Sequence, residues 1–211
     1  MQTNHATRSN DAAGKSSLNI RNWITKGLSW ETYIGMCTKN VERMKSIYRK
    51  VDVPADIVGA FRAKGPFNIV CIAEDWCPDC VQNVPLIVRL VESLPGTNLS
   101  LFFRDRNAEL MDHYLTNGKK VVPTAIFFDR DLNELGKWAG PSRKAKAWTV
   151  DTLIKGRKIQ DIPQDEKDRF GDLYDRKFLD EFFSDSLQEM KAAIGSRRES
   201  PESSGRPLTR G

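Results

Sequence analysis

Two cysteines three positions apart, Cys77 and Cys80, are the residues in this sequence best suited to chemistry. They lie in residues 75–80, which read DWCPDC, directly after an apolar and β-branched run at 67–73 that is typical of a buried strand. A helix beginning at this motif would put both thiols on one face. The first sulfur would then lie among unpaired backbone N–H groups at the positive end of the helix dipole, and both stabilise a thiolate. The pattern predicts a redox dithiol.

A zinc site, a structural disulfide and a chance pairing each fit the two cysteines less well. A zinc site needs four ligands, usually from a second C-x-x-C or a histidine pair, and the remaining candidates Cys37, Cys71 and His113 form no such pair. A structural disulfide would close too short a loop to stabilise the fold much. The buried strand before the motif argues against a chance pair on a surface helix. We therefore expect no metal, and no cofactor other than the dithiol–disulfide couple itself.

The cysteines and histidine outside the motif have simpler interpretations. Cys71 lies in the apolar run before the motif and is expected to be a small core residue. Cys37 lies in an amphipathic segment and is also expected to pack. His113 is expected to be a surface or packing residue of a helix.

Composition narrows the class of protein. The chain has 211 residues, 39% of them hydrophobic, enough for one sizeable core. The formal net charge of +5 resides mostly in residues 1–22 and 195–211, at +2 each, so a nucleic-acid partner is not expected. No apolar stretch is long enough to cross a membrane, and no secretory signal is recognisable. With only four cysteines, a reducing cytoplasm is the expected compartment.

Hydrophobic periodicity gives the expected order of elements. Residues 1–17 and 195–211 are predicted to be disordered tails around one domain at 18–194. Apolar spacing predicts one helix over 29–51, and a long helix over 173–194 whose apolar stripe packs on the core. Between them, the predicted helices cover 55–64, 78–94, 108–116 and 143–153, and the predicted strands cover 67–73, 99–104, 124–128 and 134–139. Residues 155–171 give no clear pattern. This order of helices and strands along the chain predicts a mixed α/β sheet flanked by helices.

These features together resemble the thioredoxin family over about residues 53–150. A C-x-x-C beside a βαβ pattern is a standard sign of that fold. The resemblance extends to Trp76 and Pro78 around the first cysteine, to Pro85 as the proline inside the helix, and to Val122-Pro123 as the family's cis-proline loop. It implies a thioredoxin-like fold with a central sheet of about four strands and added helices at both ends. The WCPDC form resembles a subgroup with Asp79 between the thiols.

The resemblance also implies roles for the site residues. Cys77 would attack a substrate disulfide as thiolate, and Cys80 would resolve the mixed disulfide. The backbone of Val122, next to Pro123, would pair with the substrate chain, and Trp76 would cover the site. Asp79 is expected to oppose thiolate formation by its charge, and Pro78 to withhold one N–H donor.

One departure from the family concerns proton transfer. Thioredoxins bury an aspartate six residues before the first cysteine, and here that position is Cys71. The acceptor of the second thiol's proton is therefore unassigned, with Glu74, Asp75, Asp79 or water as candidates.

The sequence thus predicts a thiol–disulfide oxidoreductase, acting as a reductase on protein or small-molecule disulfides with an unidentified electron donor. Two alternatives stay open. One is a thioredoxin-fold binding or adaptor module that recruits partners through its flanking helices and tails, and the other is a redox partner dedicated to a single client enzyme.

Overall fold

The computed structural model describes residues 19–195 of the chain. The predicted tails at 1–17 and 195–211 lie outside this range, apart from Gly195. The helices are α1 (Ile20–Lys26), α2 (Trp30–Met36), α3 (Val41–Lys50), α4 (Ala55–Arg62), α5 (Pro78–Glu92), α6 (Ala108–His113), α7 (Arg143–Thr149), α8 (Gln164–Lys177) and α9 (Phe183–Ala193). The strands are β1 (Asn68–Ala73), β2 (Asn98–Phe103), β3 (Thr124–Phe128) and β4 (Glu134–Ala139).

The four strands form one mixed sheet in the order β2-β1-β3-β4. Strands β1 and β2 are parallel, whereas β3 is antiparallel to both β1 and β4. The central strands β1 and β3 are almost completely buried, which explains their continuous apolar sequences. The predicted four-stranded mixed α/β sheet flanked by helices is therefore confirmed.

The predicted single helix over 29–51 is wrong, because the chain breaks between α2 and α3. The side chain of Asp75 accepts hydrogen bonds from the backbone N–H groups of Thr38 at 2.6 Å and Lys39 at 3.0 Å. Asn40 adopts a left-handed conformation with φ of 55°, and its side-chain Nδ2 donates to the Asp75 backbone carbonyl at 2.8 Å. A tertiary contact thus replaces the helical hydrogen bonds, and it ties residues 38–40 to the segment that precedes the two cysteines.

The C-terminal helix begins earlier than predicted, at Gln164 rather than near 173. A π-helical turn, Phe178–Phe182, joins α8 to α9. Most of the apolar stripe lies in the same core cluster as the sheet, as predicted; its buried members include Phe178, Phe182, Leu187 and Met190. Leu173, at the start of the predicted helix, is instead exposed, and its neighbour Tyr174 is buried. Another π-helical turn, Val150–Ile154, extends α7.

Helix α5 is the central element of the site. It is buried on most of its surface from Cys80 to Leu90, and Pro85 lies inside it. It packs against both α3 and α9 as well as β1 and β2. Within residues 19–195, no helix is both long and apolar enough to span a membrane.

Candidate active site

The structure places both cysteines at the junction between β1 and α5. Cys77 is the N-cap residue of α5, with extended backbone angles, and its N–H donates to the Glu74 carbonyl at 3.3 Å. Pro78 occupies the first helical position, where its missing N–H costs no helical hydrogen bond. Cys80 follows in the first turn. A strand therefore delivers the pair to the start of a long helix, which is the arrangement that the sequence predicts.

The two sulfurs differ in environment. Cys77 is 7% exposed, and its thiol donates to the Val122 carbonyl at 3.5 Å. Cys80 is fully buried, and its sulfur accepts the N–H of Glu74 at 3.4 Å. Both cysteines are free thiols, as are Cys37 and Cys71. The thiol of Cys77 is thus the one that a substrate can reach.

The surroundings of the two thiols move their pKa values in opposite directions. A hydrogen bond from the Cys80 thiol lowers the pKa of Cys77, and the backbone N–H groups of Asp79 and Cys80 lower it further, whereas burial and the charge of Asp79 oppose this. Burial is the main cause that raises the pKa of Cys80, and the hydrogen bond to Cys77 and the charge on Cys77 raise it further. Cys77 is therefore the stronger candidate for the thiolate, while Cys80 retains its proton.

The loop before β3 closes the site on the other side. The Val122–Pro123 peptide bond is cis, and the Val122 carbonyl faces Cys77. The Pro123 carbonyl accepts the Gly140 N–H at 2.8 Å, and the Thr124 hydroxyl donates to the Val121 carbonyl at 2.8 Å. These bonds fix the backbone of Val122 beside the exposed sulfur.

Trp76 and Pro78 form the exposed rim of the site. Trp76 is 41% exposed, and the guanidinium carbon of Arg104 lies 4.8 Å from the centroid of its ring. Such a cation–π contact orients the indole without burying it. Pro78 is also exposed. The rim therefore offers an apolar and aromatic surface next to Cys77.

Asp79 lies partly buried between the thiols and α8. Its Oδ1 accepts a hydrogen bond from the Tyr174 hydroxyl at 3.0 Å. Burial raises the pKa of Asp79 to about 6, although the bond from Tyr174 acts in the opposite direction. Its charge raises the pKa of Cys77, in the direction that the sequence predicts. Nothing in the local sequence indicates that Tyr174 reaches this carboxylate.

Cys71 occupies the position where thioredoxins bury an aspartate, and it cannot act as a base at neutral pH. Burial raises the pKa of the Cys71 thiol to about 12, so it stays protonated at neutral pH. The carboxylate of Glu74 accepts the Asp105 N–H at 2.8 Å, and burial raises its pKa. Asp75 binds residues 38 and 39, and Asp79 binds Tyr174. None of these three carboxylates hydrogen-bonds Cys80 within the range 19–195.

The remaining residues considered as zinc ligands are Cys37, Cys71 and His113. Cys37 is partly buried, and burial raises its pKa to about 12. His113 packs edge-on against the ring of Tyr114, with the ring centroids 4.9 Å apart. Over the part of the chain that the structure describes, no group of three or more His, Cys, Asp or Glu residues is arranged to hold a metal ion.

Comparison with known proteins agrees with this fold. The sequence model of the thioredoxin family, described as "Thioredoxin", matches residues 27–155, which is more than half of the chain. The chain therefore belongs to the thioredoxin family. No curated protein matches it.

Two solved structures share the fold at low sequence identity. A Pseudomonas aeruginosa protein of unknown function is 14% identical, with a TM-score of 0.57, over 82% of this chain and 96% of its own. An HIV epitope scaffold is 15% identical, also with a TM-score of 0.57, over 82% of this chain and 98% of its own. At this level of identity the likeness concerns the fold alone.

Proposed function

We propose that this protein is a thiol–disulfide oxidoreductase that reduces disulfides in proteins or small molecules through Cys77 and Cys80. The observation that supports this most is the contrast between the two thiols. The slightly exposed one caps the start of a helix and has a lowered pKa, and the buried one, in the first turn of that helix, has a raised pKa. A structural cysteine pair has no need of this asymmetry, whereas a nucleophile and its resolving thiol require it.

The reaction consists of two thiol–disulfide exchanges. The Cys77 thiolate attacks one sulfur of the substrate disulfide, that S–S bond breaks, and the departing thiolate takes a proton from solvent. Cys80 then loses its proton and attacks the Cys77 sulfur, which releases the second substrate thiol and leaves a Cys77–Cys80 disulfide. Two electrons have passed to the substrate. A dithiol donor returns them to the protein by the reverse exchanges.

Cys80 must lose its proton only in the second step. Once Cys77 is in a mixed disulfide, its negative charge no longer raises the pKa of Cys80. Because none of the candidate carboxylates at 74, 75 and 79 hydrogen-bonds Cys80, we infer that its proton passes to the departing thiolate of the substrate or to water that enters the opened site. The Glu74 N–H then stabilises the Cys80 thiolate as it forms.

The rim residues suggest how the substrate is held. The Val122 carbonyl faces Cys77 and can pair with the backbone N–H of a substrate chain, with Trp76 covering the apolar side. The expected partners are therefore disulfide-containing proteins or small molecules, together with an unidentified dithiol electron donor. No nucleic acid, membrane, metal or further cofactor enters the proposal, and the reducing cytoplasm remains the expected compartment.

The adaptor alternative would recruit partners through the flanking helices and the tails, and the tails lie outside the described residues. The apolar stripe of α9 is buried in the core, and this favours the oxidoreductase. A redox partner dedicated to one client is a narrower form of the same proposal.

Turnover of a disulfide-linked test peptide with dithiothreitol as donor tests the proposal. Wild type is expected to accelerate the reduction, and Cys77→Ser is expected to abolish the acceleration. Cys37→Ser is the matched control, because Cys37 lies outside the motif, and it should retain full turnover. Undiminished activity of Cys77→Ser would show that the dithiol is not the redox centre.

A further inference from the structure

Helix α8 contributes a side chain to the redox motif although it is nearly a hundred residues away in sequence. The Tyr174 hydroxyl donates to Asp79 Oδ1 at 3.0 Å, across a separation of 95 residues. Asp79 lies between the two cysteines, so this bond reaches the centre of the motif. Asp79 lies in the first turn of α5, and its charge raises the pKa of Cys77.

The tyrosine is held rigidly in this position. Tyr174 is 1% exposed, and its ring packs on those of Trp148 and Phe170, with centroid distances of 5.9 Å and 5.6 Å. Phe182 closes the same aromatic cluster at 6.1 Å. A ring fixed on several sides cannot turn its hydroxyl away at little cost, so the contact to Asp79 is part of the packed structure.

A second polar contact one residue later fixes the register of α8 against α5. The carboxylate of Asp175 accepts the Gln82 side-chain nitrogen at 3.0 Å, and two nitrogens of Arg43 at 2.8 Å each. Adjacent residues of α8 thus bind two positions of the first turns of α5, Asp79 and Gln82. Sliding or rotating α8 would break both contacts together.

The geometry points to Tyr174 as a positioning residue of the redox site: its hydroxyl holds the Asp79 carboxylate beside Cys77 and favours its charged form. This inference rests on the proposed function, since it assigns a control element to the same dithiol. Through Tyr174, the C-terminal helix sets how strongly Asp79 restrains the nucleophile.

The charged and titratable groups around Asp79 determine the sign of the effect. Cys77 feels its charge from the same end of α5, and Tyr174 donates to it from α8. The neighbouring Asp175 on α8 is ion-paired with Arg43 of α3. A hydroxyl that donates to a carboxylate favours the charged form, so loss of the Tyr174 hydroxyl leaves Asp79 neutral over a wider pH range. A neutral Asp79 no longer opposes the Cys77 thiolate.

The rate of Cys77 alkylation by iodoacetamide between pH 5 and pH 9 tests this inference, followed at Cys77 by peptide mapping in the full chain. In wild type the profile should show an inflection from Asp79 near pH 6. Asp79→Asn should lose that inflection and react faster above it. Tyr174→Phe, which keeps the ring, should move the inflection up by about one pH unit, the size expected for one hydrogen bond to a charged group.

Tyr114→Phe is the matched control, because Tyr114 is also buried but has no contact with Asp79. Its profile should follow wild type. A carbon-13 NMR titration of the Asp79 carboxyl measures the change in the pKa of Asp79 directly, and it does not depend on catalysis.

A Tyr174→Phe inflection at the wild-type pH by both measurements would overturn the positioning role. The proposed function fails in a different way, through undiminished peptide reduction by Cys77→Ser. The two failures are therefore distinguishable.

Discussion

Gly136 of β4 offers a direct test of how the C-terminal helix pair is docked on the sheet. A Cβ atom built on Gly136 would lie 2.1 Å from the carbonyl oxygen of Ala193 and 2.7 Å from its carbonyl carbon, near the end of α9. Ordinary contacts begin at 3.4 Å, so the shortfall exceeds 1 Å. The obstacle is backbone, so no side-chain rotation can relieve it, and either α9 or β4 must move.

Gly136→Ala is therefore expected to lower the free energy of unfolding by about 1–3 kcal/mol, as overpacking of a well-packed contact usually does. Urea unfolding followed by circular dichroism measures the change. Gly59→Ala is the matched control, because Gly59 lies on α4 and its added Cβ would have no atom within 4 Å. That variant should be about 0.5–1 kcal/mol more stable, since alanine is the better helix former. Equal stability of the two variants would refute the docking of α9 against β4.

Three further predictions concern the site and its supports. Asp75→Ala should cost about 2–3 kcal/mol of unfolding free energy in urea, because the N–H groups of Thr38 and Lys39 lose their acceptor; a loss below about 0.5 kcal/mol would contradict this. Cys71→Ala should leave peptide reduction unchanged, because its thiol stays protonated, with a pKa of about 12; lost turnover in a folded variant would make Cys71 part of the chemistry. Wild type should gain stability relative to Asp79→Asn as pH falls from about 7 towards 4. The pKa of Asp79 is about 6 in the folded protein against 3.8 for a free aspartate, so the folded state binds the proton more tightly than the unfolded state does. A pH-independent difference in unfolding free energy would contradict the last prediction.

Local patterns predicted the sheet and the start of α5 well. The strands at 124–128 and 134–139 have the predicted bounds, because each is an apolar or alternating run between clear turn residues. The motif lies at the helix start because Pro78 suits the first helical position and the preceding strand is buried. Local sequence was sufficient where the local preference and the tertiary structure agree.

Long-range contacts account for what the sequence did not predict. The helix expected over 29–51 breaks because Asp75, far along the chain, takes the N–H groups of residues 38 and 39. Helix α8 begins at Gln164, after Pro163 and with Asp165 and Glu166 in its first turn, and those residues are helix-start signals that could have been used. The bond between Tyr174 and Asp79 has no local signal, because it depends on the packing of two distant helices.

The identity of the cysteine that first bonds to a substrate disulfide tests the central claim most directly. Cys80→Ser, incubated with the disulfide-linked test peptide and quenched with acid, should accumulate a mixed disulfide, because no resolving thiol remains. Mass spectrometry of the digested protein should find the test peptide on Cys77 and not on Cys37 or Cys71. Attachment to one of those two cysteines, or no mixed disulfide at all, would contradict the account.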